Sequence, residues 1–92
     1  MNEQAMRKFI IRNKLGFHAR AASQFVRIAS SFNSDIFVQK NSQEVNGKSI
    51  MGILILAAAK GTEITVKAEG NDARQALDAL GELINSGFGE EE

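Results

Sequence analysis

The single histidine of this 92-residue chain, His18, stands in the stretch LGFHARAA, residues 15–22. A glycine and a phenylalanine precede it, and an alanine, an arginine and an alanine-rich segment follow. That position is where a strand has ended and a helix begins. The first N–H groups of a helix have no partner inside it, and together they carry about half a positive charge. An anion is at home there. A phosphoryl group on the His18 ring would lie within reach of the backbone N–H groups of Ala19 and Arg20. The Arg20 guanidinium could add charge-assisted hydrogen bonds, and Gly16 lets the chain turn tightly beside the ring. The same positive field disfavours an imidazolium, so the ring is expected to be neutral at pH 7 with a lone pair free for attack. No second histidine, cysteine or evident general base accompanies it. Phosphoryl transfer between two imidazoles needs none, because the attacking lone pair carries no proton. A lone histidine at a helix start can equally be an exposed or capping residue, and the local pattern by itself leaves both readings open.

The rest of the chain must place that ring. RKFIIR (7–12) reads as a first strand. A helix is predicted over 19–32, with Ala22, Phe25, Val26, Ala29 and Phe32 on one stripe and Arg20, Ser23, Gln24, Arg27 and Ser30 opposite. DIFVQK (35–40) and EVN (44–46) form a hairpin. Ser49 then precedes IMGILILAAAK, a short helix closed by Gly61. TEITVKAEG (62–70) alternates, with Ile64, Val66 and Ala68 on one face. Asn71 or Asp72 can cap a last helix whose stripe is Ala73, Ala76, Leu77, Leu80, Leu83 and Ile84, with Gly87 as its stop. Residues 88–92, FGEEE, are expected to fray as an acidic tail. The order βαββαβα and the strand alternation predict one α+β domain spanning 1–92: a four-stranded antiparallel sheet with three helices on one face, an open two-layer sandwich.

Composition narrows the function. Eleven basic and eleven acidic residues balance, which argues against a general nucleic-acid binder. The absence of cysteine and the single histidine argue against a zinc site, and no cofactor or metal is expected. No apolar run reaches the ~20 residues of a membrane span, and none near the N-terminus resembles a signal peptide, so a cytoplasmic location is expected. The charge is nevertheless divided. Residues 1–60 carry nine basic and three acidic side chains, net +6, and residues 61–92 carry two basic and eight acidic ones, net −6. Such a division is either an accident of an acidic tail or a basic face that steers acidic partners and phosphoryl groups to one site.

LGFHARAA resembles the active-site stretch of the histidine phosphocarrier family, HPr, of the bacterial phosphoenolpyruvate:sugar phosphotransferase system, where the pattern is Gly-(Leu or Ile)-His-Ala-Arg-Pro-Ala. GKSIMGILILAAAKGTEITV (47–66) is similar to that family's second signature, a serine opening a short apolar helix. The resemblance runs from about Lys8 to Gly87 in the family's element order. It implies that His18 is the phosphorylated residue, modified at Nδ1, and that Arg20 contacts the phosphoryl group. It implies that Ser49 matches the serine that a dedicated kinase modifies in many bacteria, with a phosphatase reversing it. It also implies enzyme I as donor and enzyme IIA domains as acceptors, with the chain a relay rather than an enzyme. Docking is expected on Phe17, Ile50, Met51 and Leu54, rimmed by Arg27. Nothing in the sequence calls for more than a monomer. Ser49 also has a purely structural reading, as a helix N-cap. Two departures stand out: Ala21 where the pattern commonly has proline, and Phe17 where it has a smaller residue. Two other functions were open: a regulatory adaptor of the same fold controlled through Ser49, and a small RNA-binding domain. The second is disfavoured because no Tyr or Trp is present and only Phe9 or Phe37 could stack on bases.

Overall fold

Alternation decides the sheet. In a computed structural model that describes residues 3–90, β4 (Glu63–Gly70) buries Ile64, Val66 and Ala68, and β2 (Asp35–Lys40) buries Ile36 and Val38. These five side chains point to one face, and the helices lie on it. β4 runs antiparallel between β1 (Glu3–Ile10) and β2, and β3 (Gln43–Asn46) closes the far edge, giving the order β1-β4-β2-β3. Register brings Phe9 opposite Ile64 and Val38 opposite Val66. The expected architecture, a four-stranded antiparallel sheet covered on one face by three helices, is the one observed.

The helices are held by their stripes. α1 (Ala19–Ser30) buries Ala21, Ala22, Phe25 and Ala29, and α3 (Ala73–Asn85) buries Ala73, Ala76, Leu77, Leu80 and Ile84. α2 (Ile50–Leu56) is shorter than expected. Its apolar run continues as AAA, but Ala57 takes a left-handed conformation (φ 51°), and the Lys40 ammonium donates to the Leu56 carbonyl (3.0 Å). Gly61 is therefore not the stop; its N–H instead reaches the Ile11 carbonyl (2.8 Å) in the turn before β4.

Other boundaries moved for similar reasons. β1 begins at Glu3 rather than at Arg7, because ladder pairing to β4, from Glu3 opposite Gly70 onward, extends an edge strand that carries few apolar residues there. Asp72 does precede α3, yet its carboxylate makes no helix cap. It accepts instead from the N–H groups of Asn33 (2.8 Å) and Ser34 (2.9 Å) and from the Ser34 hydroxyl, tying the α1–β2 turn to the start of α3. The expectation that 88–92 fray fails for its described part. Gly87–Gly89 form a 3₁₀ turn, Phe88 is buried, and the Glu90 side chain is hydrogen-bonded; residues 91 and 92 lie outside the described residues. No helix among the described residues is long and apolar enough to cross a membrane.

Candidate functional site

The segment from Ile11 to His18 carries the chain from the end of β1 to the start of α1. Gly16 has φ +63°, and a Cβ there would collide with the Ala58 carbonyl, which accepts from the Phe17 N–H (3.0 Å). Only glycine fits both constraints. The next residue, Phe17, turns inward: 4 % exposed, its ring meets Phe25 edge-on (5.4 Å between centroids) and Phe88 (5.5 Å). The expectation that Phe17 contributes to a partner surface is thus corrected. With the glycine turned and the phenylalanine in the core, His18 emerges as the N-cap residue of α1.

His18 has extended backbone (φ −77°, ψ 177°), and its carbonyl receives the Ala22 N–H (2.8 Å), but its side chain makes no capping bond. The ring is therefore available for something other than holding the helix. The amides of Ala19 and Arg20 have no carbonyl partner outside the helix among the described residues, as expected of a first turn. The ring keeps 27 % of its surface exposed and borders a cleft of about 520 Å³ lined by Lys14, Leu15, Arg20, Gly89 and Glu90. Ala21, the departure from the family's proline, is the third residue of α1 and fully buried. An N–H there lies among those with no intrahelical partner, so alanine in place of proline leaves the helix's hydrogen-bond ladder as it was.

The ring's partner is a residue the sequence reading did not include. Nε2 of His18 is hydrogen-bonded to Oε2 of Glu90, and the other carboxylate oxygen accepts from Nδ2 of Asn13 (3.1 Å). Asn13, fully buried, also donates to the Gly16 carbonyl (2.7 Å), so one amide joins the turn to the C-terminal segment. The bond from His18 holds the Glu90 carboxyl below the ordinary glutamate range; Asn13 and the charge of Arg20 act in the same direction, against the effect of burial. Lys14 was missed as well: it adds a second cation to the cleft.

Ser49 precedes α2, and its hydroxyl accepts from the Gly52 N–H (3.0 Å), an N-cap. On the helix it opens, Ile50, Met51 and Ile55 are exposed, the last two by 68 % and 61 %. Leu54, expected to join them, packs against the core, and Ile55 takes its place one turn on from Met51. Leu15, 66 % exposed beside the cleft, is a further apolar residue the sequence reading passed over. Arg27 is exposed in the last turn of α1.

A family model described as the PTS HPr component phosphorylation site matches residues 5–86. The chain belongs to the HPr phosphocarrier family. It is 55 % identical over 80 residues to the phosphocarrier protein HPr of Neisseria meningitidis serogroup A, covering 87 % of this chain and 90 % of that one. It is 44 % identical over 77 residues to the HPr-like protein Crh of Bacillus subtilis, covering 84 % and 91 %. Among solved structures, HPr-C-His from Thermoanaerobacter tengcongensis superposes with a TM-score of 0.93 at 46 % identity, covering 96 % of this chain and 99 % of that one. An HPr dimer from the same organism superposes with a TM-score of 0.76 at 49 % identity, covering 89 % and 94 %.

Proposed function

We propose that the chain is a phosphoryl relay of the phosphoenolpyruvate:sugar phosphotransferase system, in which His18 takes a phosphoryl group from phosphohistidine on enzyme I and passes it to enzyme IIA domains. The observation that carries this is the ring's placement. It starts a helix without capping it, faces a cleft, and has two cations, Lys14 and Arg20, beside it. A phosphoryl group bonded to the ring gains from the first-turn amides of Ala19 and Arg20 and from the Arg20 guanidinium. No proton must be removed from the attacking lone pair, so no general base is required.

Docking is proposed on Ile50, Met51 and Ile55, with Arg20 and Arg27 as a charged rim, the ordinary anatomy of an interface. Ser49 lies beside this surface. A phosphate there would add about −1.5 to −2 charge next to the positive end of α2, leaving the helix folded and repelling an acidic partner. Ser49 is therefore the proposed point of control by a kinase and phosphatase. A monomer is the proposed working unit, and a relay between these partners would operate in the cytoplasm.

The test is incubation with enzyme I and labelled phosphoenolpyruvate. The chain should become labelled, and His18→Ala should not. Arg20→Ala should slow transfer by about tenfold to a hundredfold, the loss of one hydrogen bond to a charged group. An unlabelled wild type ends the proposal. The match to Crh supports a second reading, a regulatory adaptor acting through Ser49. An adaptor has no need of His18 and Arg20, which this chain retains. Capture of a partner by Ser49-phosphorylated protein, unchanged in His18→Ala, would favour that reading.

A further inference from the structure

The relay as described leaves the C-terminal segment without a task, yet that segment is built with care. Gly87, Phe88 and Gly89 are consecutive left-handed residues (φ 67°, 58° and 71°). Two are glycines, for which the conformation costs little. The third is not, and it is held by burial: Phe88 is 3 % exposed, with its ring against that of Phe17. The turn delivers Glu90 to the ring of His18. Both carboxylate oxygens are then engaged, one by Nε2 of His18 and one by Nδ2 of Asn13, and the side chain is only 16 % exposed. A solvated acidic tail would have neither the anchor nor the two partners.

An ionised carboxylate only accepts hydrogen bonds, so this contact places the ring proton on Nε2 and leaves Nδ1 with its lone pair. Nδ1 makes no hydrogen bond among the described residues. We propose that Glu90, anchored through Phe88, is a positioning residue of the phosphoryl relay: it fixes Nδ1 as the attacking atom and stabilises the positive ring that must form each time the group is carried. The inference rests on the relay reading of His18. On arrival, the Nδ1 lone pair forms the N–P bond while the donor's P–N bond breaks and its electron pair stays with the donor nitrogen. The Nε2 proton remains, so the phosphorylated ring is cationic. On departure the N–P pair returns to Nδ1, and a neutral ring leaves with its Nε2 proton still in place. No proton moves in either direction. Lys14 and Arg20, the other charged groups facing the ring across the cleft, oppose that cation, and Glu90 is the carboxylate that offsets them.

Two measurements on the full chain test this. In ¹⁵N-resolved NMR of the unphosphorylated protein, a downfield imidazole N–H protected from exchange is expected at Nε2. It should be lost in Glu90→Ala and in Phe88→Ala and kept in Glu90→Gln, whose amide oxygen still accepts. In transfer from phospho-His18 to an enzyme IIA domain, Glu90→Gln lacks the negative charge that faces the cationic ring. It should be slower than wild type by about tenfold, the loss of one charge-assisted contact. Absence of the protected N–H in the wild type, or equal transfer rates for wild type and Glu90→Gln, overturns the role assigned to Glu90. If the wild type accepts no phosphoryl group at all, the relay reading itself has failed, and the positioning role falls with it.

Discussion

Replacing Phe17 by leucine, the smaller residue common at this place in the family pattern, should cost stability and leave partner docking alone. Phe17 is 4 % exposed and makes two ring contacts, with Phe25 at 5.4 Å and 82° and with Phe88 at 5.5 Å and 62°. Aromatic pairs in these edge-on arrangements contribute about 0.5–1.5 kcal/mol each beyond the area they bury. Leucine keeps most of the apolar burial and forfeits both ring contacts, so the expected loss is about 2 kcal/mol. For a domain of this size each kcal/mol is worth roughly 4–8 °C in Tm, so the melting temperature should fall by about 8–16 °C.

Thermal unfolding followed by circular dichroism, with a urea titration to check that the slope is unchanged, measures the loss. A double-mutant cycle with Phe88→Leu apportions it. The Phe17–Phe88 pair should show a coupling of about 0.5–1.5 kcal/mol. Binding to enzyme I, measured well below the melting transition, should stay within twofold of wild type, since the ring offers almost no surface to a partner. A Tm within a degree or two of wild type combined with a changed docking affinity would refute the reasoning, because the ring would then be acting at an interface and not in the core.

Three further outcomes follow from the same geometry. Ser49→Ala removes the acceptor for the Gly52 N–H and should cost about 1 kcal/mol, whereas Ser49→Asp keeps a cap and places charge at a helix start, so its Tm should match wild type while enzyme I binding weakens. Asp72 is held below the ordinary aspartate value, first by the Ser34 hydroxyl and then by the Asn33 amide, so it favours the folded state above that value and ceases to do so as the pH falls through its folded value. The acid limb of the stability curve, recorded by urea unfolding between about pH 2 and 5, should be flatter in Asp72→Asn. Raising the salt concentration should slow association with enzyme I, measured by stopped flow, if Lys14, Arg20 and Arg27 steer the encounter; a salt-independent rate would remove that role.

The parts of the molecule that were legible in the sequence are those whose determinants are local. The α3 stripe and the β4 alternation each repeat over several residues, and both were read correctly except that Leu83 of the α3 stripe is only partly buried. That His18 and Arg20 stand together at the start of α1 was legible because a helix start is itself a local event. What escaped was set by distance. Glu90 lies 72 residues from His18, and no periodicity connects them. A signal was present all the same: a phenylalanine between two glycines is out of place in a solvated acidic tail, and an aromatic residue there implies an anchor. Asp72 was read, with Asn71, as one of two candidate caps because both precede the α3 stripe, while the donors that claim its carboxylate sit on a turn some forty residues earlier in the chain. The end of α2 was misplaced because alanines continue the helical composition past Leu56, whereas Lys40, from β2, satisfies the carbonyl at which the helix stops.

The division of charge along the chain takes on a meaning only in three dimensions. The acidic residues of the second half are mostly turned toward basic or polar groups of the first: Asp78 pairs with Arg7 (2.7 Å), Glu63 stands near Lys8 (3.9 Å), Asp72 binds the α1–β2 turn and Glu90 meets His18. Exposed pairs of this kind contribute little to stability, so their consequence lies in what they leave over. Arg7 and Lys8 belong to β1, and their positive charge is compensated there. Lys14, Arg20 and Arg27 have no ion pair within 4 Å among the described residues, and all three lie in the loop and helix that carry the histidine. A chain with no net charge thereby presents a positive front around one ring. Glu90 tempers that front at a single atom, Nε2, and the rest of the field stays open to an incoming phosphoryl group. Had the acidic half folded back across α1 instead of along β1, the same composition would have neutralised the site it now leaves exposed.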